Sequence, residues 1–125
     1  MPNVAIVGAS SDRTKFGNKS VRAHVKAGYE VYPINPKGGM IEGLTVYRSL
    51  ADIPHARLDR ISVYLPPAVA LGALDEIVAM GAGEVWLNPG SESPAVVKRA
   101  KELGLSPILD CSIVALGINP HDLDQ

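Results

Sequence analysis

Short runs of apolar residues alternate along this chain with segments of helical spacing, and a glycine closes each of those segments. The runs are Val4 to Val7, Glu30 to Asn35, Arg60 to Leu65, "EVWLN" ending at Asn88 and "SPILD" ending at Asp110. Between them, Val21 and Val25 share a face of a helix expected from about Asn18 to Ala27, ended by Gly28. Val69, Ala73, Leu74, Ile77 and Val78 do the same in a second helix, with Pro67 in its first turn and Gly81 at its end. A third helix from Ser93 to Leu103 turns Val96, Val97, Ala100 and Leu103 inward, and Gly104 follows. Strands apolar on both faces need cover on both faces, and right-handed crossovers supply it with helices on each side. The expected class is α/β: one doubly wound domain over residues 1–125, with a mainly parallel five-stranded sheet in a three-layer αβα arrangement.

Two details refine this order. Pro33 within the second run points to an edge position, since proline cannot donate to a central ladder. The stretch "PKGGMIEGLTVYRSLADIP" is rich in turn residues and carries a small strand at Leu44 to Tyr47 and a helical turn after Ser49.

Size and charge then exclude several functions. A chain of 125 residues with 46% hydrophobic residues builds one core and leaves no room for a second catalytic domain. Twelve basic against thirteen acidic side chains give no broad basic field, so nucleic acid is not an expected partner and anion binding has to be local. The start of the chain lacks a basic segment with a cleavable apolar stretch, and no apolar run approaches a membrane span. With a single cysteine, Cys111, the protein reads as cytoplasmic.

Ligands of doubly wound sheets sit beyond the carboxyl ends of the strands. The first end, Gly8-Ala9-Ser10-Ser11, combines a glycine and small hydroxyls with a helix whose free amides and partial positive charge face an anion. Asn18 is a candidate cap for that helix, and Arg13, Lys15 and Lys19 bring positive charge nearby. The glycine spacing departs from G-x-G-x-x-G, because the next glycine is Gly17. The same residues also suit a plain strand-to-helix turn.

At the second end, Asn35-Pro36-Lys37 stands where an NAD site presents an acid to the ribose hydroxyls. Glu30 lies at the opposite end of that strand. A lysine there suits a phosphorylated ribose, the 2′-phosphate of NADP or the 3′-phosphate of coenzyme A. The third end, Leu65-Pro66-Pro67, offers a stiff apolar wall, and the fourth, Asn88-Pro89-Gly90-Ser91, offers polar contacts, with Ser93 as an N-cap.

"VAIVGAS…GN", "GYEVYPINPKGG…IEGLTVYRSLADIP", "ISVYLPPAVALGALDEIVAMGAGEVWLNPGSES" and "AKELGLSPILDCSIVAL" together resemble the small stand-alone CoA-binding domain proteins, similar to the N-terminal CoA-binding domain of the succinyl-CoA synthetase alpha subunit. The likeness covers nearly the whole chain, and "GLTVYRSLADIP" is its most specific piece. It implies a Rossmann-like fold with coenzyme A extended across the strand ends. Gly8, Ala9, Ser10, Ser11, Phe16, Gly17 and Asn18 would then surround the phosphates. Asn35 and Lys37 would stand near the adenosine phosphate, Leu65, Pro66 and Pro67 on the adenine side, and Asn88, Pro89 and Gly90 by the pantetheine. Asn88-Pro89 departs from the glutamine frequent in the family. The phosphorylated histidine of the synthetase belongs to a second domain, so ligase activity is not implied.

Catalytic constellations are not evident. His24, His55 and His121 match no metal-site spacing and default to exposed positions. Cys111 emerges at the ligand edge, where it could meet the CoA thiol, although packing is the commoner role of such a cysteine. The leading expectation is a non-catalytic carrier, sensor or subunit module for coenzyme A or an acyl-CoA, with a homodimer or a partner subunit as its context. The rivals are a small NADP-binding oxidoreductase or oxidoreductase subunit, and a structural protein acting through a dimer surface.

Overall fold

In the computed structural model, which describes residues 1–55 and 57–124, the chain runs through β1 (Asn3–Val7), α1 (Phe16–Lys26), β2 (Glu30–Ile34), β3 (Met40–Ile41), β4 (Leu44–Thr45), β5 (Leu58–Val63), α2 (Pro67–Met80), β6 (Ala82–Leu87), α3 (Pro94–Glu102) and α4 (Ser112–Ala115). Short 3-10 turns follow at Leu50–Asp52 and Pro120–Leu123. The main sheet has the order β2-β1-β5-β6, all parallel. From β1 the chain moves outward to β2 and later returns to the far side of β1 as β5. Strand order therefore reverses between β1 and β5, and a crevice opens there at the carboxyl ends.

Alternation along β1 divides the core. Ala5 and Val7 face Ile61, Val63, Leu74, Ile77, Val96 and Ala100 on the side covered by α2 and α3. Val4 and Ile6 meet Val21 of α1 on the other side. The last segment adds a third cluster on that second side, where Ile113 and Leu123 pack against Ala23 of α1. Each fully buried Ile or Leu in these clusters contributes about 1.5–3 kcal/mol, so both faces of the sheet are held.

Four expectations are corrected. "SPILD" does not form a fifth strand. Among the described residues it adds only a bridge, in which Ile108 exchanges hydrogen bonds of 2.8 and 2.9 Å with Val85 and Leu87 beside Trp86. Pro107 lacks an amide hydrogen and Leu109 is exposed, so the ladder stops after one residue. Helix α1 begins at Phe16, two residues before the expected start, and Lys15 is its N-cap residue without a side-chain cap. Asn18 lies inside its first turn and does not cap it. Finally, β5 is not apolar on its α1 face, where Arg60 and Ser62 are buried.

Pro33 does fall on an edge strand, and Ser93 caps α3 by accepting a hydrogen bond from the Val96 amide at 3.2 Å. Among the described residues, no helix is long and apolar enough to cross a membrane.

Candidate functional site

Two glycines bring three backbones together at the crevice. Gly8 has φ of 89°, and a Cβ there would lie 2.2 Å from the Tyr64 carbonyl oxygen at the exit of β5. A Cβ at Gly17 would lie 2.2 Å from the Gly8 carbonyl oxygen. Only glycine at both positions lets the start of α1 sit directly on the end of β1.

The loop between them is tied down by its own polar groups. The Asp12 carboxylate accepts from the Thr14 amide at 3.0 Å and from the Thr14 hydroxyl at 2.7 Å, which holds its pKa below the ordinary carboxylate range. Asn18, fully buried, donates to the Ser10 carbonyl at 2.9 Å and to Glu42, while its own oxygen accepts from Arg22 Nε at 2.7 Å. Arg22 also donates to the Arg13 carbonyl at 2.9 Å.

These contacts decide which groups face a ligand. The amides of Gly8 and Ala9 both donate to the Ile34 carbonyl at 3.2 Å, so neither is free for an anion. Ala9 is buried, and its carbonyl accepts from Asn35 Nδ2 at 2.9 Å. Phe16 and Gly17, as the first residues of α1, have amides with no intrahelical acceptor, and both line the crevice. Of the three cations near the loop, Arg13 lies 3.6 Å from Glu42 and Lys19 is buried against Asp124, whose carboxyl it holds below its ordinary pKa. Lys15 has no acidic partner among the described residues and lines the crevice.

Glu42 reaches the loop from the β3–β4 hairpin. Its φ of 49° and that of Gly43, 77°, match the two-residue turn that such hairpins favour. That hairpin belongs to the long connection after β2, so its contact with Asn18 was not visible as a local pattern.

At the end of β2, Asn35 Oδ1 accepts from the Lys37 amide at 2.9 Å, and the Asn35 carbonyl accepts from the Gly38 amide at 3.0 Å. This turn leaves Lys37 exposed. Across it lies Arg48, whose guanidinium Nε would be 3.1 Å from a Cβ at Gly38. Sequence reasoning missed Arg48, which faces this edge from the later part of the connection. Glu30 sits at the amino end of β2, and Asn3 is its partner across the ladder. Glu76 of α2 reaches this edge from the other side, and its carboxylate accepts from the Leu50 amide.

Beyond β5 and β6, the side chains form a closed polar floor. Asn88 Nδ2 donates to Ser62 Oγ at 2.8 Å and to the Val63 carbonyl at 2.9 Å, while Asn88 Oδ1 accepts from the Ser112 amide at 2.8 Å. Ser112 Oγ bridges Ser62 and the Tyr64 hydroxyl at 2.7 and 3.0 Å. Burial pushes the Tyr64 hydroxyl pKa up. Ser91 Oγ accepts from the Leu65 amide at 3.0 Å and locks the two strand exits together.

Three adjoining cavities follow this edge. One of about 220 Å³ lies between Asn35, Pro36, Arg48, Leu65 and Glu76. The middle one, about 390 Å³, is lined by Gly8, Ser10, Lys15, Phe16, Gly17, Tyr64, Leu65, Pro66, Pro67, Pro89, Gly90 and Ser91. It shares Gly8 and Leu65 with the first cavity. The third, about 250 Å³, is bounded by Phe16, Tyr64, Asn88, Pro89, Cys111 and Pro120, and shares the first two and Pro89 with the middle one. Ser11 is exposed on the loop. Of the residues expected at the site, Asn18 and Ala9 act from beneath it, and Lys37 is exposed next to Pro36 without lining any of the three cavities.

The histidines do not converge here. His24 is fully buried, contrary to expectation, with Nδ1 2.8 Å from the Ser20 carbonyl and Nε2 3.3 Å from Arg60 Nη1. Burial pushes its pKa down to about 4, so it is neutral and structural near pH 7. His55 pairs with Glu30 at 3.1 Å, and His121 is exposed. Among the described residues, no group of three or more His, Cys, Asp or Glu side chains is placed to hold a metal ion.

A family model for a CoA binding domain matches residues 2–117. The chain is 28% identical to the alpha subunit of an ADP-forming acetate–CoA ligase from Pyrococcus furiosus, over 98% of this chain and 29% of that subunit. The chain thus spans less than a third of that relative's length. Among solved structures, a conserved hypothetical protein from Pyrococcus furiosus superposes with a TM-score of 0.83 at 34% identity, covering 92% of this chain and 99% of that one. A dinucleotide-forming acetyl-coenzyme A synthetase from Ca. Korarchaeum cryptofilum, solved with phosphate and ADP, gives 0.70 at 29% identity, over 84% of this chain and 25% of its own.

Proposed function

This chain belongs to the CoA-binding domain family, and from that premise we propose that it holds coenzyme A or an acyl-CoA along the carboxyl edge of its sheet as a non-catalytic module. The observation that carries the reading is the row of three adjoining cavities along this edge, with Arg48 lining the outer one opposite Glu76, whose carboxylate is engaged by the Leu50 amide, and Lys37 exposed next to Pro36 of its wall. In this reading the adenosine lies in the outer cavity, its 3′-phosphate within reach of those two cations. The diphosphate meets the open amides of Phe16 and Gly17 beside Ser10 and Ser11, with Lys15 as counter-charge. Gly8, Ala9 and Asn18 shape that loop, and Asn35 fixes its distance from β2.

Leu65, Pro66 and Pro67 form the wall on the adenine side, while Asn88, Pro89 and Gly90 border the pantetheine arm. The residues of the edge bind and orient, and none of them forms a nucleophile with an adjacent base. A single-domain carrier, sensor or subunit module, working as a homodimer or beside a partner subunit, fits this chemistry. The lone thiol of Cys111 suits a reducing compartment such as the cytoplasm.

Thermal unfolding with coenzyme A, acetyl-CoA, NAD and NADP tests the reading. A ligand at a hundred times its Kd adds about 2.7 kcal/mol, a shift on the order of 10 °C for a domain of this size. Coenzyme A and acetyl-CoA should produce it and NAD should not. Stabilisation by NADP alone would favour an oxidoreductase role, and no response to any of the four would leave a structural role.

A further inference from the structure

The innermost of the three cavities has a chemistry of its own. It is enclosed by the start of α1, the exits of β5 and β6, the start of α4 and the final turn at Pro120. Its wall's amide and hydroxyl groups are already committed, and the remaining heteroatom is the Cys111 thiol, a weak donor. Asn88 spends its amide on Ser62, Val63 and Ser112, and the Tyr64 hydroxyl is bonded to Ser112. Among the described residues no cation lines it, and Lys19, whose ammonium lies against the Phe16 ring, is paired with Asp124. Phe16 itself is 52% exposed at the junction with the middle cavity, a costly place for an aromatic ring unless a ligand covers it.

Resting on the CoA reading above, we propose that this cavity is an acyl subsite, which takes the chain of an acyl-CoA thioester when that chain is short and apolar and refuses one ending in a carboxylate. The middle cavity ends at Phe16, Tyr64 and Pro89, the residues that begin this one, so an arm laid along the edge delivers its terminal thioester into it. At about 30 Å³ per chain atom, the share of a water in the liquid, 250 Å³ holds roughly eight such units. The thioester takes about three of them, which leaves room for about five carbons. A terminal carboxylate would be stripped of water against walls that offer no partner, and that penalty exceeds the gain from burying the chain.

Isothermal titration with coenzyme A and its acetyl, butyryl, hexanoyl, decanoyl and succinyl thioesters tests the proposal. Full burial tightens binding by up to about fourfold per methylene, so butyryl-CoA should exceed acetyl-CoA by about tenfold. The gain should stop by hexanoyl-CoA, and decanoyl-CoA should bind no better. Succinyl-CoA, with the same four carbons as butyryl-CoA, should bind at least tenfold more weakly than it. In Cys111→Phe, which fills the cavity, the ratio of butyryl-CoA to CoA affinity should fall to about one; the wild-type series stands alone if that variant does not fold. Coenzyme A binding with equal affinity for every thioester would overturn the acyl subsite while leaving the nucleotide site intact, as would succinyl-CoA binding as tightly as butyryl-CoA. Failure of coenzyme A and all its thioesters to bind would overturn both.

Discussion

Two helical glycines in this chain should respond in opposite senses to the same substitution. Gly17 opens α1 and Gly72 lies within α2. Neither has a positive φ, so alanine is locally acceptable at both. At Gly72 a new Cβ meets nothing within 4 Å, and Gly72→Ala should gain about 0.5–1 kcal/mol from helix propensity alone. At Gly17 the new Cβ falls 2.2 Å from the Gly8 carbonyl oxygen, roughly 1 Å inside ordinary contact. Gly8 cannot recede, because its own backbone is pressed against the Tyr64 carbonyl and its amide is bonded to Ile34. Overpacking of this kind costs about 1–3 kcal/mol, and the propensity gain at a helix end offsets little of it. The two variants should therefore differ by about 3 kcal/mol. Urea unfolding followed through the single tryptophan, Trp86, reads the difference as a midpoint separation of roughly 1–2 M. Gly17→Ala should also weaken coenzyme A by about tenfold, since the amides of residues 16 and 17 move with the helix start. Equal stabilisation by both substitutions would refute the claim that the start of α1 is seated on the glycine loop.

Lys37→Ala should weaken coenzyme A about five- to tenfold, as expected for one exposed charge-assisted contact to a phosphate, and leave dephospho-CoA nearly unchanged; equal losses in titration would remove the lysine from the 3′-phosphate. His24, with its pKa lowered to about 4 by burial and by the facing Arg60, binds its proton more weakly in the folded state than in the unfolded one. Folding stability should then be lost as pH falls from about 6.5 through about 4, by about 3 kcal/mol in total. His24→Gln should remove that component from the midpoint-versus-pH curve, and an unchanged curve would contradict it. Asn88→Ala strands the Ser112 amide and a bond to Ser62 in a buried network, so unfolding should be easier by about 3 kcal/mol; a loss below about 1 kcal/mol would show that the floor does not depend on it.

Local periodicity made the four main strands and the three long helices legible. Val4 to Val7, the Pro67 start and Gly81 end of α2, and the Ser93 cap are all short-range signals. Their parallel arrangement followed from the alternation. Failures came where a distant partner decided the outcome. Ile108 has an apolar strand run around it, but Pro107 withdraws a donor and only a single bridge to Trp86 forms. Asn18 has the composition of a cap, yet Ser10, Arg22 and Glu42 draw its side chain inward across 8, 4 and 24 positions of sequence. His24 carries no local mark of burial, because its cover comes from Arg60 and Tyr29.

The candidate site divides in the same way. Gly8, Leu65, Pro66, Pro67, Pro89 and Gly90 were readable as strand ends and a helix start, while Phe16 and Gly17 came through the family resemblance, and all of them line the middle cavity together. Arg48 was not readable, since it reaches the ligand edge only through the turn at Gly38. Nor was the third cavity, whose wall joins Phe16 to Cys111 and Pro120 from the far end of the chain.

A crystal structure of this chain with coenzyme A bound tests the central claim most directly. The diphosphate should be found on the amides of Phe16 and Gly17, with the 3′-phosphate beside Lys37 and Arg48 and the thiol pointing toward Cys111. An adenosine docked away from the carboxyl edge of the sheet, or a diphosphate with no contact to the start of α1, would contradict it.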